Sequence, residues 1–295
     1  MKKTIFKGIA TALITPLDEN GVNYQQFGSL IDWQIEQGIN ALVICGTTGE
    51  SSTLSDQEHR DVIEFAVKKA NGRVPIIAGT GSNDTAYAID LTEFACKVGA
   101  DAVLVVTPYY NKSTQKGLIK MYNTIADHST KPLILYNVPS RTGINIEPST
   151  YEALAEHENI AAIKEANGNI SKIVETMSKV RGKLDLYSGN DDQIVPLMSL
   201  GGIGAISVLS NIMPSQTVEI CNRFFAGDIA GSAELQCRYH ALIDALFCEV
   251  NPVPVKAAMA AMGFCKNFVR LPLTTMEEKN EEKLLNLMRA ENLIK

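Results

Sequence analysis

The chain has 295 residues, 45% of them hydrophobic and 20% charged, which is enough apolar material for a large core and excludes a disordered or low-complexity chain. A net charge of −6 and a pI near 5.4 argue against a basic nucleic-acid platform and suit a cytoplasmic protein. No run approaches the ~20 apolar residues of a membrane span.

The N-terminal stretch MKKTIFKGIATALITP is interrupted by Lys7 and Gly8 and has no small-residue cleavage site, so it is not read as a signal peptide. Apolar runs then recur at residues 8–15, 41–45, 75–79, 102–107, 132–137, 160–164, 184–188 and 204–208. Each is short and almost continuously apolar, the pattern of strands buried on both faces of a parallel sheet. Between them lie amphipathic helical stretches, including residues 24–37, 56–71, 84–98, 115–128 and 149–157. Ser55 and Asn83 stand where helix N-caps belong, and Gly38, Gly72 and Gly99 where helices end. The runs start about 28 residues apart, one strand–helix unit per repeat.

Eight such units predict an α/β fold, a (β/α)8 TIM barrel over residues 1–227. The other candidate is an open doubly wound sheet, but its first turn usually carries G-x-G-x-x-G, and here that turn reads TPLDENG. Residues 228–295 read as a C-terminal helical extension with helices over 229–248, 255–262 and 277–290.

Active sites of such barrels lie at the C-terminal ends of the strands. Lys164 ends the apolar run IAAIK. Burial disfavours an ammonium, so a lysine on an interior strand is placed to attack a carbonyl and form a Schiff base. By position alone it also fits a strand-end lysine that snorkels or pairs with Glu165. Lys256, outside the strands, is a competing lysine. Tyr136 ends the preceding strand and suits proton transfer, with Thr47 and Tyr110 as relay hydroxyls; a core tyrosine is the plain alternative. Arg141 follows in the next loop, where its fork suits a carboxylate or simply solvent.

Other chemistries find little support. Six cysteines show no CxxC spacing and read as thiols in a reducing compartment. Cys45 lacks a nearby base, and the four histidines form no metal motif. The pair Asp191-Asp192 reads as a solvated acidic turn, so no metal and no cofactor are expected. Gly201-Gly202 precedes the eighth strand and falls at the wrong end for phosphate binding.

The segments GTTGE (46–50), TPYYN (107–111), YNVPSRTG (136–143), KEANGN (164–169), YSGNDD (187–192) and GAISV (204–208), with NPVPVK (251–256), together resemble the dihydrodipicolinate synthase and N-acetylneuraminate lyase family. That resemblance implies a Schiff base between Lys164 and pyruvate, and an enamine that attacks the aldehyde of L-aspartate-4-semialdehyde. It implies Tyr136 as acid/base in a relay with Thr47 and with Tyr110, the latter supplied by the partner in a tight dimer. It further implies Thr48 backbone contacts to the pyruvate carboxylate, Arg141 on the semialdehyde carboxylate, and Gly189 and Ile206 lining the site. Family members commonly form tetramers of two such dimers.

Sialic acid lyases of the family lack the arginine, so Arg141 and Thr47-Thr48 favour the synthase branch. A sialic acid lyase, a 2-keto-3-deoxy sugar acid aldolase and a silent keto-acid sensor remain the alternatives. Many members bind inhibitory L-lysine at positions that correspond to Ser51, Ser52, Asp56, His59, Asn83, Tyr87 and Tyr109. Lysine-sensitive members carry His and Glu where this chain has Asp56 and Tyr87, which implies weak or absent inhibition.

Overall fold

The computed structural model describes residues 2–295. The chain runs through β1 (Gly8–Ala12), a small hairpin of β2 (Leu17–Asp18) and β3 (Gly21–Val22), α1 (Tyr24–Glu36), β4 (Ala41–Ile44), α2 (Asp56–Ala70), β5 (Ile76–Gly79), α3 (Thr85–Val98) and β6 (Ala102–Val106). It continues with α4 (Gln115–Asp127), β7 (Leu133–Asn137), α5 (Pro139–Thr142), α6 (Pro148–Leu154), β8 (Ile160–Glu165), α7 (Ile170–Val180), β9 (Asp185–Ser188), α8 (Ile194–Ser199), β10 (Gly204–Ser207) and α9 (Pro214–Phe225). All strands but the hairpin form one closed barrel in the order β1-β10-β9-β8-β7-β6-β5-β4. Every barrel pairing is parallel. The closed barrel replaces the open sheet as the reading of the repeat.

Side-chain alternation divides the barrel strands between two cores. Ala10, Ala12, Val43, Ile77, Leu104, Ile134, Ala162, Tyr187 and Ile206 point inward into one cluster. Ile9, Leu42, Ile44, Val103, Leu135, Ile163 and Leu186 point outward and meet the helices in a second, larger cluster. This two-sided burial is why the strands read as unbroken apolar runs. At the N-terminal end of the barrel Phe6 stacks on Tyr187 at 4.1 Å between centroids, and the Tyr187 hydroxyl donates to Phe6 O at 2.7 Å. Both rings belong to the inner cluster.

Helix starts follow local chemistry. Ser55 and Glu58 form a capping box at α2, each side chain serving the other's backbone N–H. At α3 the cap is Asp84, which accepts from Ala86 N, rather than the expected Asn83. Asn83 instead donates to Tyr109 O at 3.2 Å.

After α9 come α10 (Ile229–Arg238), α11 (His240–Leu246), α12 (Val253–Ala261) and α13 (Glu278–Ala290). The single helix expected over residues 229–248 is thus two. The chain turns at Tyr239, which buries with Leu242 and Ile243 in the outer core. No helix among the described residues is long and apolar enough to cross a membrane.

Candidate active site

On β8 the alternation turns Ala162 into the barrel and Ile163 outward. Lys164 shares the inward parity and is only 6% exposed, which removes the snorkelling alternative. Tyr136 is its register partner on β7, and the Lys164 Nζ lies 4.1 Å from the Tyr136 ring centroid. Gly189 completes this wall. A Cβ there would lie 2.8 Å from Ala166 Cβ and 3.2 Å from Lys164 Cε, so any larger residue would clash with Ala166 and crowd the lysine stem. Ile206 lies in the same inner cluster.

Glu165 does not pair with Lys164. It faces the helix layer, where it accepts from Asn137 Nδ2 (2.9 Å), Asn167 N (2.9 Å) and the Tyr151 hydroxyl (2.8 Å). Burial pushes its carboxyl up to about 7, against these three bonds, which pull it down. Lys256, the competing lysine, is wholly buried and donates to Glu50 Oε1 (2.5 Å) and Phe268 O (2.9 Å). Its amine is committed, whereas Lys164 has no ion-pair partner among the described residues.

The segment after β4 turns sharply over the barrel mouth. Gly49 N–H and Glu50 N–H bond back to Gly46 O and Thr47 O, both at 3.1 Å. Among the described residues the N–H groups of Thr47 and Thr48 have no acceptor, which leaves two adjacent donors at the C-terminal end of β4. Neighbouring backbone donors of this kind suit a carboxylate. The Thr48 hydroxyl accepts from Asn251 Nδ2 at 3.0 Å, and Asn251 O accepts from Arg141 Nη2 at 3.2 Å. Gly79 admits the turn, since a Cβ there would sit 2.2 Å from Cys45 O.

A cavity of about 410 Å³ opens here, lined in part by Thr47, Arg141, Val138 and Val106. Ser51, Ser52, His59, Tyr87 and Tyr109 line the same cavity, so five of the expected effector positions share one space with Thr47 and Arg141, whereas Lys164 and Tyr136 are not in its lining. A smaller recess of about 40 Å³ beneath it reaches Cys45, Thr47 and Tyr136. His59 bonds Gly79 O at 2.8 Å, and burial holds its imidazole below the usual value. Asp56 and Asn83 are not in the lining. Asp56 pairs with Arg60 at 2.9 Å and lies beside the Tyr87 hydroxyl, which burial first and then that carboxylate push up to about 12.

Tyr110 stands apart from these groups. It is 93% exposed, at a φ of 67°, and does not enter the cavity of its own chain. Burial pushes the Cys45 thiol far up, against any nucleophilic role. Asp191 is buried and accepts from Val208 N and Leu209 N at 2.9 Å, tying the end of β10 to the turn after β9. The expected solvated turn is therefore only half right: Asp191 is a buried clamp. Sequence reasoning missed Asn251 and the Glu50–Lys256 pair, although both lie in the GTTGE and NPVPVK segments it had singled out.

A buried lysine inside a closed barrel, in register with a strand-end tyrosine, defines a class of enzyme: lyases that form a Schiff base with pyruvate. Within that class the chain belongs to the dihydrodipicolinate synthetase family, which it matches over residues 5–291. It is 53% identical over 294 residues to a 4-hydroxy-tetrahydrodipicolinate synthase from Acetivibrio thermocellus, covering 100% of both chains. The fold is similar to the crystal structure of dihydrodipicolinate synthase from Aquifex aeolicus, with a TM-score of 0.96, 45% identity, and 98% and 99% of the two chains covered. It is equally similar to the chloride-inhibited dihydrodipicolinate synthase of Acinetobacter baumannii complexed with pyruvate, at a TM-score of 0.96 and 45% identity over 99% and 100% of the two chains.

Proposed function

We propose that this enzyme is a 4-hydroxy-tetrahydrodipicolinate synthase, condensing pyruvate with L-aspartate-4-semialdehyde on the way to diaminopimelate and lysine. The observation that carries the reading is the uncommitted, buried Lys164 beside Tyr136, in a chain so similar to named synthases over its whole length.

The Lys164 amine attacks C2 of pyruvate, whose carboxylate rests on the Thr47 and Thr48 N–H groups. Tyr136 delivers a proton to the carbinolamine hydroxyl, which leaves as water and gives the iminium. Loss of a C3 proton yields the enamine, and C3 then bonds to the aldehyde carbon of the semialdehyde, whose carboxylate Arg141 holds. The acceptor's own amine attacks C2, closes the ring and releases Lys164. Thr47 relays the Tyr136 proton outward, and Tyr110 of a second subunit completes the relay. Gly189 and Ile206 shape the wall around the keto acid.

The nearly complete exposure of Tyr110 supports a dimer in which that ring reaches the neighbouring cavity, and pairs of such dimers make the tetramer. The six free cysteines support a cytoplasmic setting.

Borohydride reduction with pyruvate, followed by intact mass and peptide mapping, tests the mechanism. A single pyruvate adduct on Lys164 is expected. A folded protein with no adduct, or with the adduct elsewhere, overturns it. Turnover of N-acetylneuraminate in place of the semialdehyde condensation would overturn the choice of acceptor alone.

A further inference from the structure

We propose that the C-terminal extension takes part in the reaction through Lys256, a positioning residue that sets the Thr47–Thr48 edge for the carboxylate of the keto acid. The inference rests on the function proposed above and assigns a role in it to a residue more than 200 positions away from the edge it serves, with Glu50 and Lys256 separated by 206 in sequence.

Residues 46–49 form a turn bounded by two non-glycine residues at positive φ, Cys45 at 56° and Glu50 at 57°. Such a conformation persists only where the surroundings over-determine it. Three side chains hold it directly, and a fourth, Arg270, secures the segment that follows. Thr15 Oγ1 donates to Gly49 O at 2.7 Å. Asn251 Nδ2 reaches Thr48 Oγ1 at 3.0 Å, and Lys256 Nζ reaches Glu50 Oε1 at 2.5 Å. Arg270 Nη1 donates to Thr53 O at 2.8 Å, and its two terminal nitrogens hold Glu58 at 2.7 and 2.5 Å. Two of the three direct anchors, and Arg270 as well, come from the extension.

The Lys256–Glu50 pair is the deepest of them, with neither side chain exposed by more than 1%. A buried ion pair contributes little to stability against an apolar pair of the same volume. Glu50 Oε2 even lacks a hydrogen-bond partner. Stability is therefore a poor account of the pair, and geometry a good one. The ammonium grips the side chain of the one strained residue that ends the turn, and the Phe268 carbonyl holds that ammonium in turn at 2.9 Å. Thr47 and Thr48 lie between the strained residues, so the direction of their N–H groups depends on this grip.

The test compares the parent with a double variant, Glu50→Gln with Lys256→Met, which removes both charges together and leaves no orphan ion. The readouts are the pyruvate concentration that half-saturates borohydride trapping at Lys164, the KM for each substrate, and the melting temperature. The expected result is a folded protein whose half-saturating pyruvate rises about tenfold, the loss of roughly one charge-assisted hydrogen bond, while the KM for the semialdehyde barely moves. An unshifted pyruvate dependence, or equal losses for both substrates, overturns the inference. If the double variant does not fold, Glu50→Gln alone decides, since it keeps the shape and weakens the grip of Lys256: a smaller rise confined to pyruvate supports it, and no rise overturns it. A parent that traps no pyruvate removes the proposed function itself, whereas a parent adduct with an unshifted variant removes only this inference.

Discussion

Asn137 and Glu165 are bonded side chain to side chain at 2.9 Å on the outer face of the barrel, directly behind Tyr136 and Lys164 on the inner face. The two pairs are consecutive in one parallel register, Tyr136 with Lys164 and Asn137 with Glu165. Fixing the outer pair fixes the separation of the inner one.

That arrangement gives Glu165 a pH signature. Its folded carboxyl is raised to about 7 from an ordinary 4.5, so the native state holds the proton more tightly than the unfolded chain. The resulting stability is fully present below the unfolded value and is lost as pH rises through about 7. Across that window the parent should lose on the order of 3 kcal/mol. Urea unfolding of the parent and Glu165→Gln at pH values spanning the window checks this. Glu165→Gln should lack the decline, and parallel profiles would count against it.

Tyr136→Phe keeps the ring against Lys164 and removes only the hydroxyl. Loss of general acid–base help should lower kcat about 10²- to 10⁴-fold. The pyruvate adduct should still form on Lys164, more slowly. Unchanged steady-state turnover would remove Tyr136 from the proton path.

Arg141 lies at the rim of the cavity, tethered through Asn251 O. Arg141→Ala should raise the KM for the semialdehyde about 10- to 100-fold, the usual cost of losing a charge-assisted bond, and leave that for pyruvate nearly unchanged. Equal rises for both substrates would mean that the arginine does not discriminate between the carboxylates.

L-Lysine should inhibit weakly if at all. A ligand ammonium needs a free carboxylate, and the nearest expected one, Asp56, is engaged by Arg60 and stands outside the cavity lining. Tyr87 offers only a hydroxyl there. Steady-state assays with added L-lysine decide, and half-inhibition below the millimolar range would contradict the expectation.

Particular residues explain what could be read ahead of the fold. All eight barrel strands were legible because burial on both faces leaves unbroken apolar runs, and Lys164 stood out as a charge ending one. The hairpin β2–β3 was not, since two-residue strands carry no periodicity. Asn83 and Asp84 are both capping residues, and only the tertiary bond from Asn83 to Tyr109 O decides between them. The Glu50–Lys256 pair escaped notice because its members meet across 206 residues, and local pattern does not record such meetings.

The stacked rings of Phe6 and Tyr187 fill the barrel interior next to the strand that carries Lys164. Lys164 is buried and Arg141 exposed, so on the roles proposed above the keto acid sits deep and the acceptor near the surface. On the roles proposed for Lys164 and Arg141, an aldehyde arriving first would stand between its co-substrate and the lysine, which would make loading of the lysine the first step of each cycle.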